Sequence, residues 1–141
     1  MGLFKNKELE RRELKDYNEK IRVIFNDGIP DVPQNTICEV AISDEQIVIN
    51  PLVGPEHKIY LNISQIKSVS VLPWGEYALK YQHTTISIPK NSPGRIYLVI
   101  SFQASDNTSK IISFWGSLQF IKFEHFSDII NAKITSNAVY L

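Results

Sequence analysis

The chain predicts a mainly β, α+β domain. Seven antiparallel strands form a barrel or sandwich capped by a C-terminal α-helix, with a separate N-terminal helix ahead of them. Three observations carry this fold class. Ile96 to Gln103 and Lys110 to Trp115 read as two strands split by the polar run Ala104 to Ser109. Behind Gly116-Ser117, phenylalanine and isoleucine recur at helical spacing. Between residues 36 and 71, short alternating segments are punctuated by turn residues. A helix that ends a β-rich chain must bury its apolar stripe, and the open mouth of a curved sheet is the cheapest place for it.

Taken in order, residues 5–25 hold seven basic and five acidic side chains, with Leu14, Tyr17, Ile21 and Ile24 at steps of three and four. That spacing predicts an amphipathic helix over 1–25, supported by the i,i+4 pair Asp16 and Lys20 in the favourable order. Its apolar face, Leu14, Tyr17 and Ile21, packs on the domain or serves self-association. A membrane-surface role is disfavoured by its mixed charges and narrow stripe. Residues 26–35 carry Asp27-Gly28, Pro30 and Pro33 and read as a linker. The domain proper is then 36–141.

Strands are expected over 36–43, where Cys38, Val40 and Ile42 alternate, then at Ile47 to Ile49, Ile59 to Ile63 and Ile66 to Val71. Thr85 to Ile88 reads as a fifth strand stopped by Pro89. Asn91-Ser92-Pro93-Gly94 places proline and glycine for a type II turn, and the two strands named first follow. Ser117 suits an N-cap for a helix over about 118–135. Phe120, Phe123, Phe126, Ile130 and Ile134 fall within a stripe roughly 120° wide.

Composition bounds the function. At 141 residues with 43% hydrophobic and 21% charged content, the chain can bury a core without staples. Fifteen basic and fifteen acidic residues cancel, so no global field recruits nucleic acid. The single Cys38 excludes an internal disulfide and a cysteine zinc cluster, and fits a reducing, cytoplasmic compartment. Set among Ile37, Val40 and Ile42, it reads as a small core residue. No signal peptide or transmembrane run is evident, and Asn6 stands where a myristoylation motif wants Ser or Thr.

Chemistry is hard to find. His57, His83 and His125 share no metal-ligand spacing, and no phosphate loop or nucleophile elbow occurs. His125 with Asp128 at i,i+3 reads as a solvated pair. The expectation is a non-enzyme without cofactor or metal.

Ile47-Val48-Ile49 after a short turn, then Ile59 through Val69, then Ile111-Ile112-Ser113-Phe114-Trp115 leading into a helix, form a pattern of elements. A four-strand meander, a three-strand meander and a closing helix resemble the pleckstrin-homology (PH) superfold, especially its bacterial PH-like and GRAM-like members. The resemblance covers about residues 36–136. It implies a binding module without chemistry of its own, directed at a protein partner or at self, with peripheral binding of anionic lipid as the alternative. Phosphoinositide-binding members place cations at the first hairpin, where this chain has Ser43-Asp44-Glu45-Gln46. The tryptophan common in the helix of eukaryotic members is also missing, its volume open to Phe126 or Phe123.

For binding, residues 74–95 stand out. Trp74, Tyr77, Lys80, Tyr81, His83, Lys90 and Arg95 lie there with Glu76 the only acid, whereas acids outnumber bases four to two over 36–72. Aromatic and basic residues in irregular chain suit a recognition surface. The competing reading is that Trp74 and Tyr77 fold back as a plug over the barrel end and the charges are merely solvated. Lys80, Lys90 and Arg95 are the cations a lipid-binding role would use.

Overall fold

The computed structural model describes residues 12–14, 17, 19–54, 56–90 and 92–136. Among them, seven strands form one antiparallel sheet: β1 (Glu19–Asp27), β2 (Ile37–Ile42), β3 (Gln46–Pro51), β4 (Ile59–Asn62), β5 (Ile66–Pro73), β6 (Arg95–Gln103) and β7 (Ser109–Ser117). Their order is β4-β3-β2-β1-β7-β6-β5, so two meanders join where β1 pairs β7. The edges β4 and β5 are linked by a 3-10 turn at Ile63–Gln65 but do not pair, and the sheet is not closed into a barrel. Two helices are described, α1 (Trp74–Tyr81) and α2 (Phe120–Ser136).

The predicted N-terminal helix is corrected over its C-terminal part. Residues 19–27 are β1, hydrogen-bonded between β2 and β7 at the centre of the sheet. The β-branched run Ile21-Arg22-Val23-Ile24 and its period-two face, Ile21, Val23 and Phe25, outweigh the helical spacing once neighbours are available on both sides. Residues 1–11, 15, 16 and 18 of that helix, including Asp16 of the i,i+4 pair, lie outside the described residues. Of the supposed linker, 26–35, residues 26 and 27 end β1 and the rest lies in the connection to β2. The expected strand at Thr85 to Ile88 is also absent, its place among the seven taken by β1. Asp27 holds that segment: its carboxylate accepts the Ser87 N–H at 2.8 Å.

The other strands fall where alternation places them. Cys38, Val40, Ile42, Ile47, Ile49, Leu98, Ile100, Ile112 and Phe114 share one core with Phe123, Phe126 and Ile130 of α2. The predicted helical stripe is thus buried at its middle, while Phe120 stays 39% exposed. Helix α2 starts later than predicted. Ser117 is the last residue of β7, and the first turn closes with the Phe123 N–H on the Gln119 carbonyl at 2.9 Å. The turn before β6 forms as expected around Gly94 (φ +84°), with the Arg95 N–H on the Ser92 carbonyl at 3.3 Å.

Helix α2 lies along β5 and β1 and guards an edge. The Asn131 side-chain amide pairs with the peptide groups of Val69, donating to its carbonyl at 3.0 Å and accepting its N–H at 3.2 Å. Ser127 donates to the same carbonyl at 3.0 Å. These bonds occupy groups that an unpaired edge strand would otherwise offer to another chain.

The outer face of β2 and β3 is covered by Leu14 and Tyr17, with Arg12 beside them. Leu14 packs on Ala41 and Val48, with Tyr17 beside them. Arg12 donates to the carbonyls of Gly54 (2.7 Å) and Pro51 (3.1 Å), and the Leu14 N–H is held by buried Glu39 at 2.6 Å. Leu14, Tyr17 and Ile21, read above as a self-association face, therefore contact their own sheet.

A candidate binding cleft

The outer face of β6 and β7 begins with their alternation. Leu98, Ile100, Ile112 and Phe114 point inward, so Tyr97, Val99, Ile111, Ser113 and Trp115 face out. An uncovered row of this size would leave a tyrosine and a tryptophan in water. Helix α1 and the segment that follows it cover the row. Trp74, Tyr77 and Tyr81, at helical steps of three and four, lie over Tyr97 and Val99 together with Ile86 and Ile88.

Tyr77 is the keystone of this layer. It is fully buried and stacks on Tyr97 with centroids 4.0 Å apart and planes at 6°. Its hydroxyl accepts from Asn26 Nδ2 at 3.1 Å and lies within hydrogen-bond reach of Ser113 Oγ (3.0 Å) and the Ser87 carbonyl (3.1 Å). Burial pushes the Tyr77 pKa up to about 12 against the relief offered by Ser113 and Asn26. Asn26 reaches this position through a β-bulge: the β1–β7 register jumps from Phe25 to Asp27, leaving Asn26 and Asp27 both on the outer side. Gln34 closes the network by donating to Asn26 Oδ1 at 2.9 Å and Ser87 Oγ at 3.0 Å.

The cover stops short of the β6–β7 hairpin tip, and a cleft of about 560 Å³ opens there. Its floor is Ile111 and Ser101, which are cross-strand partners. One wall is Tyr81, Thr84, Thr85 and Ile86, the other Asp27 and Gly28, and Ser109 and Lys110 close the far end. Gly28 is required where it stands. Its φ is +110°, and a Cβ would come within 2.3 Å of the Ile111 carbonyl oxygen. The Asp27 carboxylate is occupied by the N–H groups of Gly28 and Ser87, both at 2.8 Å.

The seven residues singled out between 74 and 95 scatter over this layer. Tyr77 is interior. Trp74 is half-buried and fixes the segment's end by donating from Nε1 to the Pro89 carbonyl at 2.8 Å. Tyr81 is half-buried at the cleft, with the Lys80 ammonium 5.5 Å from its ring centroid. Arg95 lies 3.7 Å over the Trp115 ring. His83 and Lys90 are exposed. Only Tyr81 of the seven lines the cleft. Residues that sequence reasoning passed over, Asp27, Gly28, Ser101, Ser109, Lys110 and Ile111, form most of it. The outward alternation of Ser101 and Ile111 was the available signal.

Among the described residues, no group of three or more His, Cys, Asp or Glu side chains is placed to hold a metal ion. His125 lies 3.8 Å from Glu19 rather than pairing with Asp128. No helix among them is long and apolar enough to cross a membrane. No protein-family model matches the chain, and no curated protein matches it.

Proposed function

We propose that this chain is a non-enzymatic binding module of the PH-like superfold, acting through protein–protein interaction. The sheet order, two meanders joined at β1–β7, and the helix across β5 and β1 support that assignment. The observation that carries the binding role is the cleft: an open, partly apolar groove whose walls are pinned by Asp27 and Tyr77 rather than left as loose loop. A self-association role for Leu14, Tyr17 and Ile21 is the weaker form of this reading, because each already packs within its own domain. Affinity capture with the wild-type chain and with Thr85→Trp, which fills the cleft from an exposed position, tests the role. A partner lost on filling the cleft supports it. A partner set and solution mass identical in both proteins would count against it.

A second reading, peripheral anionic-lipid binding, has one observation in its favour. At the β7–α2 corner Leu118 (φ +58°) is 101% exposed and Ile121 82% exposed, next to Lys122, while Arg95 pairs with Ser117 beside them. Apolar side chains flanked by cations suit a headgroup boundary. Glu124 follows one helical turn after Ile121 and opposes it. Co-sedimentation with phosphatidylglycerol vesicles, absent from phosphatidylcholine and lost in Leu118→Asp, would favour this reading.

A further inference from the structure

The charges around the cleft are lopsided. Lys110 lines it, Lys67 donates to Ser109 at its far end, and Lys80 stands over Tyr81 on its wall. Asp27, the one acid lining the cleft among the described residues, already accepts two backbone N–H groups. Asp106, at the hairpin tip, accepts from the Thr108 hydroxyl and N–H, which hold its pKa low, with Lys110 contributing at longer range. One ammonium group, that of Lys110, therefore lines the cleft, and two more, those of Lys67 and Lys80, contact residues that line it. They stand beside a floor that includes the apolar, half-buried Ile111.

An anionic small molecule would use the cations but leave Ile111 and the Tyr81 edge without a partner. An apolar ligand would do the reverse. Both features are used by an extended polypeptide that carries carboxylates on either side of an aliphatic or aromatic residue, since alternate side chains of an extended chain point in opposite directions. Resting on the interaction-module reading, we infer that the cleft between α1 and the β6–β7 hairpin takes a short acidic segment of a partner protein. Its central apolar side chain seats on Ile111, and its flanking carboxylates lie toward Lys110 and Lys80. Thr84 and Thr85 supply hydroxyls on one wall and Ser101 one on the floor.

The experiment uses the full chain and two fluorescein-labelled octapeptide libraries. One has Asp or Glu flanking a central Leu, Ile or Phe, and the other has Lys or Arg in place of the acids. Fluorescence anisotropy is expected to show binding of the acidic library alone, weakening as salt is raised. Lys110→Glu and Thr85→Trp, both at exposed positions, are each expected to weaken binding about tenfold or more, with unfolding midpoints unchanged. Leu118→Asp is expected to leave it as it is. Equal binding of the two libraries, or wild-type affinity in Lys110→Glu, overturns the inference. A protein partner whose capture survives both cleft variants but fails in Leu118→Asp also overturns it, while leaving the interaction-module reading intact. Anionic vesicles bound through Lys110 while both libraries are ignored would overturn the two together.

Discussion

The two halves of the sheet have their outer faces covered by opposite means. Over β6 and β7, α1 and the segment after it lay down large aromatic and aliphatic side chains, fastened by a hydrogen-bond network buried beneath them. Over β2 and β3, the cover is Leu14 and a half-buried Tyr17, held by Arg12 on two carbonyls and by the Glu39 carboxylate on the Leu14 N–H. The first cover is a packed layer whose removal would strip Tyr97 and Val99. The second is a short strap fastened at a few polar points. The difference teaches which surface is permanent: a layer stabilised by buried area is as durable as the fold, whereas a strap held by a few polar bonds opens at lower cost.

The sharpest way to break that comparison is to remove the keystone. Tyr77→Ala deletes a fully buried ring stacked on Tyr97 and is expected to cost about 3–5 kcal/mol in urea unfolding. A loss below about 1 kcal/mol would mean that α1 is only loosely attached, no firmer than the strap.

Alkaline pH gives the next largest effect. Burial raises the pKa of Tyr77 from 10.0 to about 12 and that of Cys38 from 9.0 to about 12. Both groups are neutral below their unfolded values, so their contribution is fully present at neutral pH. Above pH 9 for Cys38 and pH 10 for Tyr77, the unfolded chain sheds protons that the folded chain keeps, and stability falls until about pH 12. At about 1.4 kcal/mol per pH unit, the decline is about 3 kcal/mol for Tyr77 and about 4 kcal/mol for Cys38. Equilibrium unfolding of Tyr77→Phe between pH 10 and 12 should show a shallower decline than wild type, and parallel curves would remove Tyr77 from the account.

These contrasts also explain what could be read beforehand. Inward alternation in Cys38-Val40-Ile42 and in Leu98-Ile100-Phe102 is period-two and independent of any partner, so those strands were legible. Residues 19–25 were not, because Leu14, Tyr17, Ile21 and Ile24 satisfy a helical spacing while Ile21, Val23 and Phe25 satisfy a strand. Only the neighbours decide between them: β2, the next strand, and β7, far along the chain. The opposite error arose at Thr85 to Ile88, where Ile86 and Ile88 alternate yet pack on the aromatic layer without pairing. The steps from Trp74 to Tyr77 to Tyr81 already carried the period of α1, though only eight residues long. The cleft was the least legible feature. It joins a bulge at 26–27, a pinned segment at 84–86 and the end of a hairpin at 101–111, and no local pattern couples those three.

The strap can be tested at its polar fastening. Glu39 is 4% exposed, accepts the Leu14 N–H and lies 3.7 Å from the Lys20 ammonium. Glu39→Ala leaves that N–H without its acceptor and is expected to cost about 2 kcal/mol, with faster hydrogen exchange at residues 12–14 and unchanged exchange in α1. Exchange rising equally in both covers would show that they open together.

The smallest expected effects are the most discriminating, because they separate packing from hydrogen bonding inside a single stacked pair. Tyr77 and Tyr97 share the 4.0 Å contact and are both fully buried, so an account based on area alone treats their hydroxyls as equivalent. Their surroundings differ. The Tyr77 hydroxyl sits among Asn26, Ser87 and Ser113, whereas the Tyr97 hydroxyl has no hydrogen-bond partner among the described residues. Tyr77→Phe should therefore destabilise by about 1–2 kcal/mol, since buried Asn26 and Ser113 lose a partner. Tyr97→Phe removes an unsatisfied buried group and should be neutral or stabilise by up to about 1 kcal/mol. Equal losses for the two variants would place the strength of this cover in its rings rather than in the network that the bulge at Asn26 builds beneath them.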